Sequence, residues 1–122
     1  MCYKVFLKLK IRNLTRGTVL AEAADVADTS KKRRTGLLKH EKLELGEGLW
    51  IAPCEAIHTF GMKFAIDVVY LDRKRKVLKT RGDMGRGKLS ACLWASSVLE
   101  LPSGTLEATR TQKGDQLEFE KL

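Results

Sequence analysis

Alternation of apolar and polar side chains is strongest in the middle of the chain. From Phe60 onward the even positions are Phe60, Met62, Phe64, Ile66, Val68 and Tyr70, while the odd ones include Thr59, Gly61, Lys63 and Asp67. A period of two over that length predicts one buried and one mixed face, hence a strand or two strands in line; a helix would scatter these residues around its axis. At the start, Tyr3, Val5, Leu7, Leu9 and Ile11 alternate with Lys4, Lys8 and Lys10, which predicts an amphipathic strand. Turn-forming residues 13–17 follow, and residues 18–27 return as the second strand of a hairpin, although Leu20-Ala21-Glu22-Ala23-Ala24 has helix-forming composition.

Thr29 or Ser30 can cap a helix over residues 30–40, anchored by Leu37 and Leu38. Its first half carries Lys31, Lys32, Arg33 and Arg34, whose charge opposes the helix dipole. A glycine turn at 46–48 precedes a short buried strand at 49–52, ended by Pro53. A charged loop at 72–76 predicts a hairpin from 68–71 to 77–80, whereas 82–90, with three glycines, has no apolar rhythm. A strand at 97–101 closes at Pro102, a short helix can run from 103 to 110, and a last strand at 116–120 points Leu117 and Phe119 inward. With no repeat and no linker, residues 1–122 predict one compact β-rich α+β domain. Its expected form is a curled or barrel-like, mostly antiparallel sheet of about seven strands with one or two short helices.

Composition agrees with a globular chain: 43% of its residues are hydrophobic and 31% charged, enough for one real core in 122 residues. No apolar run reaches the length of a membrane span. The opening MCYKVFLKLKIR lacks an uninterrupted apolar signal region, so the expected compartment is the cytoplasm, with an exported form lacking its signal peptide as the alternative. Cys2, Cys54 and Cys92 form no C-x-x-C pair, which argues for reduced thiols. The net charge of +8 gathers at Lys31 to Arg34, at Arg73 to Lys76, and at Arg81, Arg86 and Lys88. Such clusters attract phosphate backbones and anionic surfaces. They are not interleaved with aromatics as single-strand binders require, so a nucleic-acid partner ranks below the readings that follow.

Candidate chemistry centres on Cys54 and His58. On a helical turn, residues four apart share a face and can meet; on a straight strand they stand about 13 Å apart. A thiolate, an imidazole and an orienting carboxylate, Asp67, would follow the logic of a cysteine hydrolase. The plain alternative is a buried thiol acting as a small apolar group beside a histidine bonded to backbone. Cys54, His58 and Asp67 could also supply three metal ligands, but His40 adds no paired spacing, and no metal or other cofactor is expected. Asp67, between Ile66 and Val68, must find donors if buried, and Arg33 or His58 is the expected partner. Phe60, Met62, Phe64, Trp50 and Trp94 read as packing residues, although Trp94, beside the glycine-rich stretch, could face a cleft. Phosphate-cradling, dinucleotide, serine-elbow and zinc-protease motifs are all missing.

A longer string of motifs carries a resemblance. Arg33 with Gly36-Leu37-Leu38, then Gly48-Leu49-Trp50-Ile51, Pro53-Cys54, Ile57-His58-Thr59, Met62, Ile66-Asp67-Val68 and Leu71-Asp72 stand in that order. Val98-Leu99-Glu100-Leu101-Pro102-Ser103-Gly104 and Gly114-Asp115 complete it. In order and spacing these residues resemble the DUF192 family, also called COG1430 or UPF0127, over about residues 18–120. The resemblance implies a small β-rich domain of unassigned biochemical function. Members often have Pro where this chain has Ala65, which implies a bend there. The members' shared polar positions fall on Arg33, His58, Thr59, Asp67 and Glu100. The leading expectation is a non-enzymatic binding or accessory domain whose patch of these residues receives a small ligand or a partner segment. A hydrolase or transferase using Cys54 and His58 is the runner-up, and a basic nucleic-acid-associated protein the third.

Overall fold

The computed structural model describes residues 7–122; Cys2, Tyr3 and Val5 lie outside the described residues. Strands β1 (Lys8–Asn13) and β2 (Thr18–Ala27) form the expected hairpin. Helix α1 (Ser30–Thr35) is shorter than its pattern suggested. Thr29 caps it, its hydroxyl accepting from the Lys32 amide at 3.1 Å, and Gly36 ends it at φ 48°, a left-handed angle that glycine adopts without strain. Then come β3 (Glu47–Ile51), β4 (Ala56–His58), β5 (Ile66–Leu71), β6 (Val77–Met84), β7 (Leu89–Ala91), β8 (Ser97–Pro102), α2 (Thr105–Thr109) and β9 (Leu117–Lys121).

Among the described residues seven strands form one sheet in the order β6-β5-β8-β3-β2-β1-β9, and β4 pairs with β7 in a separate ribbon. All pairs are antiparallel except β2 with β3, which the segment containing α1 connects. The sheet curls into a half-barrel whose edges meet at one end. There Lys76 bridges Gln116, the Val77 amide donates to the Asp115 carbonyl at 2.8 Å, and the Leu117 amide donates to that of Arg75 at 3.0 Å.

β5 and β8 are buried at all of their residues. Their inner faces give Val69, Leu71, Leu99 and Leu101 to a cluster that gathers Leu9, Ile11, Leu20, Val77 and Leu117 from across the sheet. Their outer faces give Ile66, Val68, Tyr70 and Val98 to a second cluster, covered by Leu37, Met62 and the inward side of the β4–β7 ribbon. The long alternation therefore divides. Only Ile66 to Leu71 is strand; Met62 N donates to Thr59 O at 3.2 Å and Gly61 has φ 79°, so the chain turns before β5. Met62 is buried as expected, but Phe60 is exposed.

Asp67 lies on the inner face opposite Leu101. Its carboxylate accepts from the amides of Asp83 (2.7 Å), Gly104 (3.1 Å) and Leu106 (2.8 Å). Its donors are backbone groups, not Arg33 or His58, and they fasten β6 and the start of α2 to β5. At the far end of the inner cluster Asn13, Arg16 and Gln112 all donate to Asp115, closing the turn after β1 over the loop before β9.

Replacing Asp67 by Ala leaves three amides without their acceptor. Asp67→Ala should lower stability by about 2–4 kcal/mol, measured by urea unfolding. A loss within about 0.5 kcal/mol would contradict the structural role given to this carboxylate.

Candidate functional site

The one other acid on the buried central strands behaves differently. Glu100 of β8 pairs with Val68 of β5 on one side and Leu49 of β3 on the other, so its side chain rises from the outer face among apolar neighbours. It is 3% exposed and, among the described residues, makes no side-chain hydrogen bond or ion pair. Burial pushes its carboxyl up to about 7. Where Gly36 ends α1 the backbone comes close: a Cβ at that position would lie 3.9 Å from Glu100 Oε1.

Above Glu100 opens a cleft of about 700 Å³ between the α1 segment and β4. Its walls include Leu37, Ile51 and Met62, and its polar lining includes Arg33, Cys54 and His58. Arg33 is partly buried, while its neighbours Lys32 and Arg34 are exposed. The guanidinium makes only long contacts, at 3.5 Å, to the Asp28 carbonyl and the Ser30 hydroxyl, and no ion pair among the described residues. Its charge is thus available to the cleft.

Cys54 and His58 share the cleft without forming a pair. The thiol donates to the Ala56 carbonyl at 3.1 Å; His58 Nδ1 accepts from the Phe60 amide at 3.3 Å, and its ring stacks on Phe60 at 5.2 Å. Burial pushes the Cys54 thiol up, and the nearby Glu100 charge adds to that push, so the thiol keeps its proton at neutral pH. An activated nucleophile needs the opposite shift. Thr59 and Asp67 stand apart. Thr59 is fully buried, donating to the Gly85 carbonyl at 2.6 Å and accepting from the Lys88 amide at 2.9 Å; Asp67 is on the other face of the sheet. Among the described residues no three His, Cys, Asp or Glu side chains converge as a metal site would require. No helix among them is long and apolar enough to cross a membrane.

Of the residues singled out in sequence, the structure brings Arg33, Cys54, His58 and Glu100 to one cleft. Gly36 and the wall residues Leu37, Ile51 and Met62 carried no chemical signal. Glu100 did carry one: an acid between Leu99 and Leu101 in a continuously apolar strand, the same anomaly that drew attention to Asp67.

The half-barrel, the covering ribbon and the cleft over a buried acid define a small β-rich domain. The chain belongs to the DUF192 family: the family model described as "Uncharacterized ACR, COG1430" matches residues 11–119. A UPF0127 protein of Thermococcus sibiricus is 29% identical over 121 residues, covering 88% of this chain and 73% of that protein. Two solved structures share the fold. One, from Sinorhizobium meliloti and provisionally called a transcription regulator, has a TM-score of 0.82 at 14% identity, covering 98% of this chain and 97% of that one. The other, a protein of unknown function from Novosphingobium aromaticivorans, has a TM-score of 0.79 at 16% identity, covering 93% and 84%.

The raised carboxyl has a signed consequence. Folded Glu100 holds its proton up to about pH 7, whereas its ordinary value is 4.5. Its contribution to stability is complete below pH 4.5 and is lost as pH rises through about 7. Relative to Glu100→Gln, which cannot ionise, the wild-type protein should therefore lose about 3 kcal/mol between pH 4.5 and 8, at 1.36 kcal/mol per pKa unit. Urea unfolding at the two pH values reads this directly; a stability difference that does not move with pH would refute it.

Proposed function

We propose that this protein is a binding domain whose ligand, a small molecule or a segment of a partner chain, enters the cleft between α1 and β4 and hydrogen-bonds Glu100. The observation that carries this reading is a carboxyl 3% exposed, without a protein partner among the described residues, at the floor of an open cleft. A buried polar group left unpaired costs free energy that a hydrogen-bond donor on a ligand would offset. The charge of Arg33 near the same cleft favours a ligand that also bears an acceptor or an anion.

The strand register gives the cleft a second resource. Thr59 N donates to Lys88 O and Cys92 N to Glu55 O, so the odd positions of the β4 segment are turned toward β7. The amides and carbonyls of Ala56 and His58 accordingly face away from β7, and both residues line the cleft. Among the described residues only the Ala56 carbonyl is engaged there, by the Cys54 thiol. An extended segment lying beside β4 could pair with these groups by strand addition while placing one side chain over Glu100. In this reading Arg33, His58 and Glu100 meet the ligand, while Thr59 and Asp67 hold the framework. Neither the protonated thiol of Cys54 nor the backbone-bound His58 favours a Cys/His enzyme.

Acetylated tripeptides and free amino acids, titrated one by one into isotope-labelled protein, provide the test. A binder should shift the amide signals of Gly36, Ala56, His58 and Glu100, and Glu100→Ala should weaken it by about tenfold or more, the equivalent of one lost hydrogen bond. Binding that leaves those amides unmoved, or that Glu100→Ala does not weaken, would discard the proposal.

A further inference from the structure

A second surface is built in a way that the fold does not require. Along β4 and just beyond it, Ala56, His58 and Phe60 are exposed while Ile57 and Thr59 turn inward; along β7, Leu89, Ala91 and Leu93 are exposed while Ser90 and Cys92 turn inward. The solvent face of the β4–β7 ribbon is therefore largely apolar, the reverse of the usual alternation in which the outer face is polar. Leu89 is 67% exposed, Leu93 73% and Trp94 89%, so they project from the body rather than line a groove.

The apex of this face is costly to build. Residues 92–95 form a turn closed by Ala95 N donating to Cys92 O at 3.2 Å, and its two central residues are Leu93 and Trp94. Trp94 has φ 74°, at a position in such turns where glycine is the ordinary choice. A bulky aromatic there is strained and makes little contact with the core to compensate, the kind of local cost that marks a functional surface.

Cations are fixed beside the apolar face. Lys79 Nζ donates to the Ala91 carbonyl at 2.7 Å and Arg81 NH1 to the Leu89 carbonyl at 2.8 Å, which holds both β6 side chains along β7. Arg86 and Lys88 precede β7 in the chain and are also exposed.

We propose that the outer face of the β4–β7 ribbon docks on an anionic lipid surface, with Leu93 and Trp94 entering the headgroup region and Lys79, Arg81, Arg86 and Lys88 facing the lipid charges. Apolar side chains with an aromatic at the interface, joined to a basic patch, are the two signals that peripheral membrane binding combines. A projecting apex needs no complementary groove, which a lipid surface does not supply and a protein partner must. Leucines offer no stacking to nucleobases, which disfavours a single strand as the occupant.

The test uses the full chain and vesicles of phosphatidylcholine, with and without about one-third phosphatidylglycerol, read by co-sedimentation. The wild-type protein should bind the anionic vesicles, and more weakly as salt rises from about 0.1 to 0.5 M. The double variant Leu93→Ser, Trp94→Ser should keep its fold, verified by circular dichroism, and lose about tenfold or more in partitioning. No sedimentation with anionic vesicles at low salt overturns the proposal, and so does undiminished binding of the double variant, which would mean adsorption by charge alone. Two further outcomes overturn it: self-association that the double variant abolishes, meaning that a second copy covers the face, and DNA binding that requires Trp94.

Discussion

Two strands without a solvent face set the terms for the rest of this protein. Because β5 and β8 are buried on both sides, the half-barrel needs an interior cluster and an exterior cover, and Leu37, Leu43, Met62, Phe64 and the β4–β7 ribbon provide that cover. Any ionisable side chain on those strands then faces a strict choice between complete internal satisfaction and exposure to something that enters from outside. Asp67 takes the first course on the inner face, with three backbone amides. Glu100, on the outer face, has none among the described residues, and the cover parts above it to form the cleft. The same burial that makes the domain stable thus leaves one of its carboxyls without an internal partner among the described residues.

Much of this architecture was legible in the pattern of side chains. The first hairpin, the cap at Thr29, the β5–β6 hairpin and the strand closed by Pro102 all follow from local rules of alternation, capping and turn chemistry. The ribbon did not. β4 and β7 are three residues each, and their pairing joins segments about thirty residues apart, so neither offers enough periods for alternation to stand out. Phe60 continued an apparent strand by parity alone, because a turn at Gly61 does not interrupt the sequence count as it interrupts the backbone. Trp94 reads first as packing because large aromatics are usually buried, and the structure instead leaves it almost fully exposed.

For the site, the family resemblance supplied Arg33, His58 and Glu100, but sequence order could not say which shared polar residues face the same space. Parity along paired strands decides that: Glu100 opposite Val68 and Asp67 opposite Leu101 place the two acids on opposite faces. Thr59 follows His58 directly yet points inward, because adjacent residues in an extended segment diverge. The Cys54–His58 spacing was ambiguous between two conformations, and it was settled by local hydrogen bonds to Ala56 and Phe60 that no pattern reveals.

A two-stranded ribbon would ordinarily offer a passing chain two edges to join. Here the long side chains of Lys79 and Arg81 occupy carbonyls of β7, while those of β4 open onto the cleft. An incoming strand can consequently extend the ribbon on one side alone. The protein's own cations thus guard the β7 edge of the ribbon against unwanted strand pairing, a protection that adds no further element to the fold.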